Sequence, residues 1–337
     1  EALHQDGIGV GLFHRVQVGA LDVFDDADFQ HLDVVHLAHD DRHLGQAGGL
    51  GGAPAALAGD DLPHARFARL KAEGRAAFVA YVMGGDPSRG EALEILRGLP
   101  EAGADIIELG FPFSDPMAEG PPIQKAALRG LKAGLSMRGT LELARDFRVG
   151  DADTPLILMG YLNPVESYGY EVFARDAAEA GVDGVIVVDC PPEEAAPLLA
   201  ALKAADLSLI RLATPTSDDE RLKVIAEGTS GFVYYVSVAG VTGVKEAVAA
   251  DVAPAVERVR RAAGLPVAVG FGVKTPERAA EIARVADAVV AGSVFVDEVA
   301  AALEANEPAV PRVLAKVKAL ADAVHGARTS ASVTETV

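Results

Sequence analysis

The stretch FARDAAEAGVDGVIVVDC, residues 173–190, reads as a helix, a stop at Gly181 and a strand, Gly184–Val188. A glycine adopts the left-handed turn that ends a helix without steric cost. The phrase occurs twice more. In SRGEALEILRGLPEAG the apolar residues Ala92, Ile95, Leu96 and Leu99 fall at helical spacing, Gly103 is the stop, and ADIIELG is the strand. In VERVRRAAGLPVAVGFG, Gly264 precedes a strand over Pro266–Gly270. Further apolar runs lie at Ala76–Val82, Pro155–Gly160, Leu207–Leu212, Gly231–Ser237 and Ala286–Ser293.

Eight short apolar strands therefore alternate with amphipathic helices. Strands that are apolar throughout imply a parallel sheet covered by helices. Eight such units in one domain-length stretch point to a (β/α)8 TIM barrel. An open doubly wound sheet stays in view, because strand count alone does not prove closure. Its dinucleotide-binding form is disfavoured, since no G-x-G-x-x-G follows the first strand.

Composition narrows the function. Half of the 337 residues are hydrophobic, enough for a substantial core, yet no uninterrupted apolar run is long enough to span a membrane. The formal net charge of −19 argues against a nucleic-acid partner, which calls for a basic surface. A single cysteine, Cys190, excludes an intrachain disulfide and fits a reducing, cytoplasmic setting.

Residues 1–63 differ from the rest. Seven of the eight histidines lie at or before His64, and the first lysine is Lys71. The segment carries eleven acids against two arginines and includes the Gly/Ala-rich QAGGLGGAPAALAGDD, residues 46–61. His31, His36, His39, Asp40, Asp41 and His43 cluster, but no cysteine joins them and their spacing matches no zinc pattern. No metal site is expected. Residues 1–63 are expected to be an unstructured extension, an over-long start or an addition rather than part of the folding unit. The barrel is expected over 64–325, with a flexible tail over 326–337.

In a barrel the chemistry belongs at the C-terminal ends of the strands. Three late ends are glycine-rich: Ala239–Gly243, Gly270–Gly272 and Ala291–Ser293. Backbone amides there suit a phosphate, although tight strand-to-helix turning also uses glycine. Glu108 sits between Ile107 and Leu109, where burial would raise its pKa for proton transfer; the alternative is a structural acid with a bonded partner. Glu119 lies on SDPMAEGPP, too proline-rich for helix and long enough to cover the mouth, though loop acids are commonly just solvated. Asp115 reads as a loop brace. Phe78, Tyr161 and Tyr234 are either barrel filling or the walls of a site for a flat aromatic substrate.

The string ELGFPFSDPMAEGPPIQ resembles the signature of the tryptophan synthase alpha chain family. The likeness extends through FVAYVMGGDP, LMGYLNP, GVDGVIVVDCPPEE, GFVYYVSVAGVTG and GFGVKTPE to AGS, covering roughly residues 65–325. It implies a barrel that cleaves indole-3-glycerol phosphate to indole and glyceraldehyde 3-phosphate. By the match, Glu108 is the general acid and base, and Glu119 contacts the indole N–H. The signature has aspartate at the Glu119 position, so this chain departs from it by one methylene. Phosphate contacts carry over to Gly243, Gly272, Gly292 and Ser293, and pocket positions to Phe78, Tyr161 and Tyr234. Thr242 belongs to a closing loop, and Asp189 is the acid that loop packs against. Val238 stands where some members carry arginine. Ala65–Gly74 is expected to be a helix capping the barrel bottom.

The resemblance also implies a beta-chain partner in an α2β2 complex. No cofactor is expected in this chain, and pyridoxal phosphate is expected in the partner. The loops around Glu119 and Thr242 are the expected contact and gating elements. Two other readings stay open: another phosphate-binding barrel enzyme, such as a sugar-phosphate isomerase or epimerase, and a binding-only subunit that activates its partner.

Overall fold

Closure rests on the pairing of the first strand with the last. The computed structural model describes residues 62–237, 249–270 and 272–328. Strands β1 (Ala77–Met83), β2 (Ile106–Gly110), β3 (Leu156–Gly160), β4 (Gly184–Val187), β5 (Ser208–Ala213), β6 (Val233–Val236), β7 (Val267–Gly270) and β8 (Ala288–Ala291) pair in chain order. β1 also pairs with β8 in parallel, placing Phe78 opposite Val289 and Ala80 opposite Ala291. The sheet is a closed (β/α)8 barrel, which removes the open-sheet alternative.

Successive side chains of a strand point to opposite faces, so each strand splits into an inner and an outer set. Val79, Ile106, Ile157, Ile186, Ile210, Tyr234, Ala268 and Val290 fill the barrel. Phe78, Ala80, Ile107, Leu109, Leu158, Val185, Val233 and Val289 face the helices instead. The first helix, α1 (Leu62–Ala72), closes the bottom: Phe67 and Leu70 join the inner set, and the Phe67 ring lies 5.5 Å from that of Phe232. It starts three residues before the stretch the sequence assigns to it, because Pro63 is buried and fits the opening turn of a helix.

A repeated device sits at the N-terminal ends of the strands. Asp105, Asp183 and Asp287 each immediately or closely precede an even strand. Each accepts the first amides of the preceding odd strand: Phe78 N–H at 2.9 Å, Leu156 N–H at 2.7 Å and Val267 N–H at 2.9 Å. Each also holds an arginine, respectively Arg75, Arg148 and Arg260. Asp105 is the most elaborate, taking both guanidinium nitrogens of Arg75 and lying 2.8 Å from His325 Nε2 on the last helix, α12 (Ala309–Gly326). Burial alone would push the Asp105 carboxyl up, but the bonds from His325, Arg75 and the Phe78 amide outweigh it and hold it below the usual carboxylate range.

Leu62 and Pro63 belong to α1; the remainder of the extension expected over 1–63 lies outside the described residues. At the other end, Arg328 donates to the carbonyls of Ala283 and Ala286, so residues 326–328 belong to the barrel and not to a tail. Among the described residues no helix is long and apolar enough to cross a membrane.

Asp105→Ala is expected to lower stability by about 3–5 kcal/mol, because it strands a partly buried arginine and a strand amide. Urea melts at pH 7 check this. A depressed carboxylate contributes its stability above the unfolded pKa of about 3.9 and loses it as pH falls through the lower folded value. The gap between parent and variant should therefore close in acid melts.

Candidate active site

Glu108 is where the inner-outer alternation has its chemical consequence. Ile107 and Leu109 face the helices, so the residue between them must point into the barrel. It is fully buried, and among the described residues neither carboxyl oxygen has a hydrogen-bond partner. Burial pushes its pKa up to about 8, and the charge of Glu119 adds to the effect. Among the described residues, the bonded partner that a structural acid requires is not found.

Glu119 comes from the loop between β2 and α3 (Pro121–Lys132), one residue before the Gly120 N-cap. Its backbone is fixed twice: its N–H donates to the Pro116 carbonyl, and its carbonyl accepts from Gln124 Nε2 at 2.8 Å. The side chain is half-buried, and desolvation pushes it up to about 6. Asp115 in the same loop is exposed and takes a bond from the Ser114 hydroxyl, as a loop brace does.

Aromatic side chains wall the site. Tyr161, at the end of β3, accepts the Ala118 N–H at 2.9 Å and packs against Phe113 with ring centroids 5.5 Å apart, which ties the Glu119 loop to the barrel rim. Tyr234 points inward from β6; burial and then the charges of Glu108 and Glu119 raise its hydroxyl pKa well above the ordinary value.

Phe78 is a correction. It shares the outer set of β1, fully buried, with its ring edge-on to Phe295 at 6.4 Å, so it lies in the helix layer and not in the pocket. Tyr81 takes the position expected of it. Tyr81 is the direct register partner of Glu108 and lies in the upper inner cluster with Met83, Ile123 and Val296. Its hydroxyl pKa is raised by burial, then by Glu119 and Glu108. The alternation in AFVAYVM puts Val79 and Tyr81 on one face and Phe78 on the other, but does not mark which face is inner.

The strand-end glycines make room for these rings. A Cβ at Gly110 would lie 2.3 Å from the Tyr81 hydroxyl, one at Gly270 would lie 2.1 Å from the Tyr234 hydroxyl, and one at Gly160 would lie 2.2 Å from the Phe111 ring. A Cβ at Gly292 would come within 3.0 Å of Tyr81. Gly292 is also the N-cap of α11 (Ser293–Ala305), with Ser293 opening the helix. Gly272, exposed with φ of 79°, has open space around it. Gly272 thus lies just beyond β7, and Gly292 and Ser293 lie at the end of β8 where α11 starts. Asp189 accepts the Leu162 N–H at 2.7 Å and so braces the helix after β3. Val238, Thr242 and Gly243 lie outside the described residues. Among the described residues, no three His, Cys, Asp or Glu side chains are grouped to hold a metal ion.

A closed (β/α)8 barrel with two carboxyls of separated pKa at its C-terminal mouth is the layout of an enzyme that works by proton transfer. Residues 67–325 match the family model described as tryptophan synthase alpha chain, and the chain belongs to that family. It is a carbon–carbon lyase of tryptophan biosynthesis that cleaves indole-3-glycerol phosphate to indole and glyceraldehyde 3-phosphate. The tryptophan synthase alpha chain of Phenylobacterium zucineum is 71% identical over 266 residues, covering 79% of this chain and 96% of that one. The alpha chain of Caulobacter sp. strain K31 is 66% identical over 263 residues, covering 78% and 96%. Among solved structures, tryptophan synthase subunit alpha from Legionella pneumophila is 38% identical with a TM-score of 0.74, covering 79% of this chain and 99% of that one.

An unpaired buried carboxyl weakens the fold once it must ionise. Because the folded pKa of Glu108 is raised, its cost is absent below the unfolded value near 4.3 and grows as pH rises toward about 8. Glu108→Gln is therefore expected to stabilise the protein by roughly 1–3 kcal/mol at pH 8 and by less at pH 5. Paired denaturant melts at the two pH values check the sign.

Proposed function

We propose that Glu108 and Glu119 divide the cleavage between them, and that the separation of their pKa values is what permits the division. At neutral pH Glu108, with a pKa of about 8, carries a proton, while Glu119, at about 6, is ionised. Glu108 gives its proton to the indole ring carbon that bears the glycerol chain. The positive charge this places on the ring nitrogen is stabilised by the Glu119 carboxylate through the N–H. Glu108, now a carboxylate, removes the proton from the adjacent glycerol hydroxyl. The carbon–carbon bond then breaks, its electron pair returns to the ring to give neutral indole, and the oxygen becomes the aldehyde of glyceraldehyde 3-phosphate. Glu108 ends protonated, ready for another turnover.

The remaining site residues take supporting parts in this reading. Tyr161, Tyr234 and Tyr81 flank the ring. Gly243, Gly272, Gly292 and Ser293 hold the phosphate through backbone amides and the start of α11, with no basic side chain required. Thr242 and Asp189 serve loop closure.

The family supports a beta-chain partner in a complex. An α2β2 tetramer, with pyridoxal phosphate confined to the beta chain and none of its own in this chain, completes the proposal, along with a cytoplasmic location. Met117, exposed beside Glu119 on the mouth loop, offers an apolar contact for that partner. Residues 1–63 are taken to play no part in the reaction.

Indole release from indole-3-glycerol phosphate tests the reading, with the beta chain present. Glu108→Gln should lower kcat by at least roughly 100-fold, the scale of a lost general acid and base. The pH profile of kcat/KM should be bell-shaped, rising through about 6 as Glu119 ionises and falling through about 8 as Glu108 does. Full indole release by the Glu108→Gln variant would overturn it.

A further inference from the structure

We infer that Arg129, through its ion pair with Asp86, is a positioning residue for Glu119. This rests on the role given to Glu119 above. Asp86 lies in the loop after β1 with its side chain almost wholly buried, and Arg129 lies in α3. The pairing is two-pronged: Arg129 Nε donates to Asp86 Oδ1 at 2.6 Å, and its Nη2 donates to Oδ2 at 2.8 Å. The same Nη2 also reaches the Val296 carbonyl of α11 at 3.3 Å. One guanidinium thus fastens three elements of the mouth: the end of β1, the helix that follows the Glu119 loop, and the helix that starts at Gly292 and Ser293.

The connection to Glu119 is through the helix body. Glu119 immediately precedes α3, and Gln124 in the first turns of that helix bonds the Glu119 carbonyl. Arg129 lies eight residues beyond Pro121, the first residue of α3, about 12 Å along the axis. A helix of this length moves as a rigid unit, so its seating at Arg129 sets where its N-terminus points. The seat is close: a Cβ at Gly130 would lie 2.6 Å from the Gly84 carbonyl oxygen. Backbone contact there fixes the distance of α3 from the β1 loop. The planar, bidentate guanidinium fixes its rotation about that contact, which a single backbone contact leaves free. Displacement of a reacting or stabilising group by about 1 Å is enough to cost roughly 100-fold in rate. Nothing in the reaction itself requires Asp86 or Arg129, since neither is among the residues that face the substrate in the reading above.

The test is a double-mutant cycle on indole release, with the beta chain present and the melting temperature of each variant recorded. Arg129→Gln is expected to lower kcat by roughly 10- to 100-fold with KM moved less, at a temperature where the variant is fully folded. In a Glu119→Gln background the same change should lower kcat by less than about twofold, because the group it positions is already gone. Arg129→Lys keeps the charge but not the two-pronged geometry; it should show a smaller loss that also vanishes in the Glu119→Gln background, and it carries the cycle if Arg129→Gln does not fold. Equal losses in both backgrounds would overturn the proposal and leave Arg129 a purely structural residue. A Glu119→Gln variant with the parent's kcat would overturn the role of Glu119 itself, and the positioning claim with it.

Discussion

The structure turns on one constraint: a carboxyl at an inward position of a closed parallel barrel has no backbone to bond. Glu108 is paired in register with Tyr81 of β1 and Ile157 of β3, and the neighbouring inner side chains are apolar or aromatic. Among the described residues Glu108 has no hydrogen-bond partner, and burial raises its pKa to about 8. Isolated buried carboxylates are costly. Here the cost in stability and the proposed reactivity come from the same property.

The two ends of the barrel handle charge in opposite ways. At the bottom, Asp105, Asp183 and Asp287 are each matched to an arginine and a strand amide, and Asp105 is held below the usual carboxylate range. At the top, the carboxyl of Glu108 has no hydrogen-bond partner among the described residues. Paired acids hold the strands together at one end, and the proposed chemistry draws on an unpaired one at the other. The glycines at the top serve the same division. The absence of a Cβ at positions 110, 270 and 292 makes room for the rings of Tyr81 and Tyr234 at the mouth.

Much of this was legible in the sequence because it is local. The helix–glycine–strand phrase located three strands and apolar runs the other five, all to within a residue or two, and the apolar neighbours of Glu108 marked it as a buried acid whose role came from the family resemblance. Phe78 was misplaced because choosing between it and Tyr81 depends on which parity faces inward. Parity in a strand apolar on both faces is fixed only by the closed sheet. Neither face of AFVAYVM carries a polar residue to mark it. The Asp86–Arg129 pair was invisible for a different reason: its partners are separated by β2 and the mouth loop, and nothing in either local sequence refers to the other. The start of α1 was missed by three residues because Pro63 reads as a breaker unless the helix begins around it.

The protonation state of Glu108 is the central claim, and infrared difference spectroscopy reads it without substrate or partner. A protonated carboxyl has a C=O stretch distinct from that of a carboxylate. The parent titrated from pH 5 to 9 should lose one band with a midpoint near 6, from Glu119, and a second near 8, and Glu108→Gln should lack only the second. A parent with no band lost near pH 8, or a variant that keeps the band titrating there, would contradict the account.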